Sequence, residues 1–199
     1  QVRLMEHVYN HSGKRSFVIL RPADAIEASV CWKMAMEITD RPVGLIFSRQ
    51  VIKDLPAKQG STRYADALQA YKGAYIVNVP QREPDLIMVA NGSEVSTILE
   101  GSQILEQQYG LCVQVVSAPS EGLFLDQDEA YRNKVLPQNK PILGFTAGLP
   151  INLRGLVGPN GKVWGLNHFG YSAPFEVLDE KFGYTKENVV KQAVEYLGL

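Results

Sequence analysis

Cysteine is scarce in this 199-residue chain, which carries only Cys31 and Cys112. Two thiols make neither a disulfide framework nor a four-ligand metal site, so both are read as reduced and buried. Histidine is limited to His7, His11 and His168. The first two are spaced i, i+4, which would suit a metal on a helix, but no third ligand stands near them and they are read as exposed. His168 lies in the Gly-rich stretch Gly165 to Gly170 and reads as a turn residue or interface contact. Charge of one sign is also lacking: 20 Lys plus Arg face 21 Asp plus Glu. No basic surplus exists to meet a nucleic acid. No apolar run approaches the ~18 residues that cross a bilayer, and residues 1–20 lack a signal-peptide pattern. A cytoplasmic protein without a membrane partner is expected. Gly92-Ser93-Glu94 lacks the next Gly of a nucleophile elbow, and neither a P-loop nor a dinucleotide fingerprint occurs. Gly155, Gly158 and Gly161 are evenly spaced, but Pro159-Asn160-Gly161 reads as a turn. The chain begins with Gln1 rather than Met, and an internal fragment is the expectation.

What remains is an alternation of short apolar runs with amphipathic stretches, the mark of α/β layering. Strands are expected at 17–20, 43–47, 74–77, 85–90, 111–117, 141–145 and 162–166, rich in Val, Ile and Leu and mostly parallel. Asp24 followed by Glu27 reads as a capping pair, with Ile26, Val30, Met34 and Ile38 on one helix face. A helix from Ser93 to Tyr109 ends at Gly110, and another begins after Thr185. Apolar density falls between residues 51 and 73, which are taken as a linker. Residues 1–50 hold too few elements for a core of their own, whereas residues 74–199 make a full domain.

Three junctions could bind. Ser48-Arg49-Gln50 follows an expected strand, where an α/β sheet presents ligand-binding groups, and a guanidinium there suits a phosphate or carboxylate. An interdomain salt bridge is the alternative role for Arg49. Arg21 precedes Asp24 and could pair with it or with a partner chain. At Asn91-Gly92-Ser93-Glu94 a helix N-terminus could take an anion, although Glu94 could itself fill that field. No complete catalytic constellation is present.

In order, these junctions resemble one family. Arg21-Pro22-Ala23-Asp24, Glu27, Trp32 and Leu45-Ile46-Phe47-Ser48-Arg49-Gln50 are similar to the end of the pyrimidine-binding domain of transketolases. Gly73-Ala74-Tyr75, Gly92-Ser93-Glu94-Val95, Val115-Val116-Ser117-Ala118-Pro119-Ser120, Phe169-Gly170, Phe182-Gly183-Tyr184-Thr185 and Asn188-Val189-Val190 continue the match to the C-terminus. The resemblance implies a three-layer αβα sandwich around a mostly parallel five-stranded sheet, at 74–199. Before it would come the tail of a second parallel αβα domain, at 1–50. It implies an enzyme of the pentose phosphate pathway that transfers a two-carbon ketol unit between phosphorylated sugars. The family uses thiamine diphosphate and a divalent cation and works as a homodimer.

The resemblance places Arg49 where the family grips the substrate's terminal phosphate, with Ser48 and Gln50 in support. It places the catalytic residues and the cofactor motif outside this sequence, so the fragment alone is expected to be inactive and to bind neither cofactor nor metal. The remaining transketolase domains or subunit are its expected partners. Glu27 is not the cofactor-activating glutamate and takes a structural or interface role. Phe145-Thr146-Ala147-Gly148 departs from the family's Glu-Ala-Gly, and 149–158 replaces an aromatic stretch. The alternatives are a non-catalytic assembly or regulatory module of the same fold, or the C-terminal part of deoxyxylulose-phosphate synthase or a 2-oxoacid dehydrogenase beta subunit.

Overall fold

A run such as Leu86-Ile87-Met88-Val89-Ala90, apolar at every position, must be covered on both faces. In a computed structural model that describes residues 2–199, it is the central strand of a five-stranded sheet. The chain starts with a 3₁₀ helix, Val2–His7, and a two-stranded parallel sheet of β1 (Val18–Leu20) and β2 (Val43–Leu45), bridged by helix α1 (Ala25–Glu37). Helix α2 (Arg63–Ala67) and a 3₁₀ turn, Leu68–Lys72, lead to β3 (Tyr75–Ile76) and β4 (Leu86–Ala90). Then come α3 (Glu94–Tyr109), β5 (Val113–Ser117), α4 (Glu121–Leu125), α5 (Glu129–Val135), β6 (Ile142–Phe145), α6 (Ile151–Val157), β7 (Lys162–Trp164), α7 (Phe175–Phe182) and α8 (Lys186–Leu197). The larger sheet has the order β3-β5-β4-β6-β7, with β3 antiparallel and every other pairing parallel.

Strand alternation sorts the core into two layers. Leu86, Met88 and Ala90 face Val95, Ile98 and Leu105 of α3 and Val189 and Ala193 of α8. Ile87 and Val89 face the opposite side, where Phe124, Val135, Leu153 and Leu156 of α4, α5 and α6 cover them. The three-layer αβα sandwich with a mostly parallel five-stranded sheet is thus observed. Val18 and Leu20 of β1 join the first layer together with Val30 and Met34 of α1, so the small sheet shares its apolar core with the large one.

The expected caps form. Asp24 Oδ1 accepts from Glu27 N–H at 2.7 Å, Gly110 closes α3 in the left-handed conformation, and Thr185 caps α8. Several strands are shorter than expected. The stretch 43–47 stops at Leu45, because Phe47 turns out to stack on Trp32 with ring centroids 6.2 Å apart. The stretch 111–117 starts only at Val113, once the chain has left the Gly110 cap. Residues 51–73 are not featureless: Thr62 caps α2, and Leu55, Ala67 and Ala70 are buried. Cys31 and Cys112 are buried free thiols, as their number predicts. Among the described residues, no helix is long and apolar enough to cross a membrane.

Candidate functional site

The carboxyl ends of β1, β2 and β4 converge, and the loops that leave them hold the polar groups singled out above. Arg21 follows β1. It pairs not with Asp24 but with Glu94, the first residue of α3: Nη2 donates to Oε1 at 3.0 Å and Nη1 bonds Oε2. Nη1 also donates to Asn91 Oδ1 at 2.8 Å. Burial alone would lower the Arg21 guanidinium, but the Glu94 carboxylate holds it above its usual range. Glu94 Oε2 further accepts from Ala147 N–H at 3.1 Å, beyond β6. Gly92, at φ +62°, lies under the guanidinium, where a Cβ would collide with Arg21. The α3 N-terminus thus opens on a carboxylate that favours the helix dipole and is itself ion-paired with Arg21.

Asp24 takes a different partner. Its Oδ2 accepts from Arg63 Nε at 2.6 Å and from Leu55 N–H at 3.0 Å, which ties α2 and the stretch before it to α1. Glu27 is wholly buried, bonds Ala23 N–H and accepts from Ser117 Oγ at 3.0 Å. Burial pushes its carboxyl upward. It joins α1 to the end of β5, which is a structural role.

Arg49 stands apart from these pairs. It is exposed beyond β2 and, among the described residues, enters neither an ion pair nor a side-chain hydrogen bond. Ser48 is half-buried and its Oγ donates to Ser93 Oγ at 3.4 Å. Gln50, also half-buried, follows. The interdomain salt bridge that was the alternative for Arg49 is made instead by Arg21.

A buried cluster that the pattern of residues did not reveal lies behind this face. The Glu6 carboxylate accepts from Ile19 N–H at 2.9 Å, Ser120 Oγ at 2.6 Å and Gly122 N–H at 3.2 Å. Arg3 reaches Asn91 Oδ1 at 3.4 Å and Thr146 Oγ1 at 3.3 Å, and burial lowers its guanidinium. Glu121 lies nearby, with Oε1 buried and unpartnered and His7 Nε2 3.6 Å from Oε2. Burial pushes its carboxyl up to about 7. The one sequence signal for this cluster is weak: acidic and basic residues at 3, 6 and 15 in a stretch with no apolar period.

His7, His11 and His168 do not converge, and His168 is exposed against Tyr171 and Phe182. Gly158 closes α6 at φ +72°, in keeping with a turn. Among the described residues, no three His, Cys, Asp or Glu side chains are grouped to hold a metal ion.

A family model described as the transketolase-like C-terminal domain matches residues 73–185. Transketolase 2 of Aliivibrio fischeri is 41% identical over 180 residues, covering 89% of this chain and 26% of the relative. The structure is similar to that of a transketolase from Leishmania mexicana, with a TM-score of 0.79 and 33% identity over 93% of this chain and 26% of that one. It also resembles a Pichia stipitis transketolase in complex with sedoheptulose 7-phosphate, with a TM-score of 0.77 and 33% identity over 94% of this chain and 26% of that one. The chain spans about a quarter of the length of the relatives it matches.

Proposed function

The chain belongs to the transketolase family and corresponds to its C-terminal portion, and from that premise we propose that it serves the transfer of a two-carbon ketol unit between phosphorylated sugars. Residues 1–50 act as the end of the pyrimidine-binding domain, 51–73 as the connection, and 74–199 as the C-terminal domain. Thiamine diphosphate and its divalent cation are held by residues outside this chain, in a cytoplasmic homodimer. The chain alone is inactive.

Within it, Arg49 is the residue that meets substrate. The observation that carries this role is its position: a guanidinium beyond the carboxyl end of a parallel strand, with no acceptor among the described residues. Nearby Arg21 has two carboxylate oxygens and cannot serve. Arg49 can therefore offer its donors as a fork to the terminal phosphate of a sugar, with Ser48 and Gln50 beside it. Gripping the non-reacting end fixes the reacting carbonyl in place, which lowers the entropic part of the barrier. The bound sugar phosphate of the Pichia stipitis relative supports this substrate class.

The test is Arg49→Lys in the holoenzyme. A lysine keeps the charge and loses the fork, so KM for phosphorylated sugars is expected to rise about tenfold or more. KM for unphosphorylated ketols should stay nearly unchanged. Equal effects on both substrate types would overturn the assignment.

A further inference from the structure

Only a few links hold the stretch that carries Arg49. Ile46 N–H donates to Leu20 O at 2.9 Å, and Leu55 N–H to Asp24 Oδ2 at 3.0 Å. Between them, among the described residues, two side-chain hydrogen bonds leave residues 47–54, one ending on Ser93 just before α3 and one on α3 itself. Ser48 Oγ donates to Ser93 Oγ at 3.4 Å, and Lys53 Nζ to Glu100 Oε1 at 2.8 Å. On its other side Phe47 stacks on Trp32 of α1. The Lys53–Glu100 pair is exposed and contributes little.

The Ser48–Ser93 link is differently placed. Ser93 Oγ donates in turn to Glu94 Oε1 at 2.8 Å, and Glu94 is held by Arg21 and by Ala147 N–H. Hydroxyl thus donates to hydroxyl, and that hydroxyl to a buried carboxylate whose own position is set by a guanidinium. Each bond in such a relay polarises the next. The Ser93 hydroxyl does not cap its own helix, since no side-chain bond runs from it to the α3 backbone N–H groups. Its bonding capacity is spent on Ser48 and Glu94 instead.

Resting on the reading of Arg49 as the phosphate clamp, we infer that Ser93 and Glu94 of the C-terminal domain are positioning residues for that clamp, acting through Ser48. The C-terminal domain then has a part in substrate specificity through the Arg49 loop. It sets how much of the time the Arg49 loop stands ready, and so acts on KM for the phosphorylated substrate rather than on the chemical step.

The experiment compares Ser93→Ala, Ser93→Thr and Arg49→Lys in the holoenzyme, by kinetics and by hydrogen exchange. Ser93→Ala is expected to raise KM for phosphorylated sugars about threefold, the effect of one modest hydrogen bond. It should leave kcat and KM for unphosphorylated ketols unchanged. Amides 47–54 should exchange faster while those of β4 do not change, and Ser93→Thr should restore both readouts. If Ser93→Ala changes neither KM nor exchange while Arg49→Lys still separates the two substrate types, positioning by α3 is overturned and the clamp stands. If Arg49→Lys fails to separate them, the clamp falls and the inference falls with it.

Discussion

The guanidinium of Arg21 lies two-pronged on the carboxylate of Glu94, 73 residues further along, with Nη2 and Oε1 3.0 Å apart and both side chains nearly excluded from water. One residue leaves β1 of the small sheet and the other opens α3 of the large domain, so the pair bolts the two parts together. Two desolvated charges gain little over a well-packed apolar pair, but leaving one of them alone is costly. Arg21→Met and Glu94→Leu should therefore each destabilise the chain by about 3–5 kcal/mol. The double variant Arg21→Met with Glu94→Leu should lose less than either single change. Chemical denaturation of the four proteins measures this; additive losses would rule out the pairing as the cause.

Asp24 combines a cap and an ion pair in one carboxylate, and the two can be separated. Asp24→Ala removes both and strands Arg63, whose own side chain is nearly buried, at a cost of about 3–5 kcal/mol. Asp24→Asn keeps the Oδ1 cap on Glu27 N–H but turns Oδ2, the acceptor for Leu55 N–H and Arg63 Nε, into a donor. Its loss should be smaller by about the worth of the cap, ~1 kcal/mol, and thermal melts of both variants would show the order.

At Gly101, in the middle of α3, two effects compete. Alanine is a better helix former than glycine by about 1 kcal/mol. Yet a Cβ there would collide with Val189 Cγ1 on α8 and stand 2.8 Å from its Cβ, inside any real contact distance. Overpacking costs about 1–3 kcal/mol, so Gly101→Ala is expected to be net destabilising. Adding Val189→Ala should recover part of the loss; a stabilised single variant would mean that α3 and α8 can part freely.

The Glu121 carboxyl, pushed by burial from 4.5 up to about 7, makes stability depend on pH. Between those values the unfolded chain has released its proton and the folded chain keeps it. Stability therefore falls as pH rises through this window and stays low above it. Arg3, Glu6, Arg15 and His7 are the charged or titratable groups around it. Glu121→Gln should remove this slope, matching the parent near pH 4 and exceeding it near pH 8 by on the order of 2–3 kcal/mol. Denaturant midpoints across the range would test it, and an unchanged slope would count against the assignment.

Legibility in the sequence followed locality. Strands such as Leu86–Ala90 and caps such as Asp24, Gly110 and Thr185 were readable because a run or one side chain decides them. The place of Arg49 beyond β2 was readable because it is local too. Partner choice was not: Arg21 took Glu94 and Asp24 took Arg63, pairings between residues 73 and 39 apart that no short pattern encodes. The Glu6 cluster was hidden for the same reason, since its meaning comes from Ile19, Ser120 and Gly122. The helix within 51–73 was missed because its buried residues are an aspartate and small alanines, which raise apolar density little.

Glu6 also bears on where a domain can be cut. The family match begins at residue 73, yet the Ser120 hydroxyl and the Gly122 amide inside that match both find their acceptor on Glu6. A chain trimmed to the matched segment would leave those donors at the start of α4 without their acceptor, and the Glu94 carboxylate without its Arg21 partner. Homology and hydrogen bonding draw different borders through this molecule, and a stable truncation should follow the second.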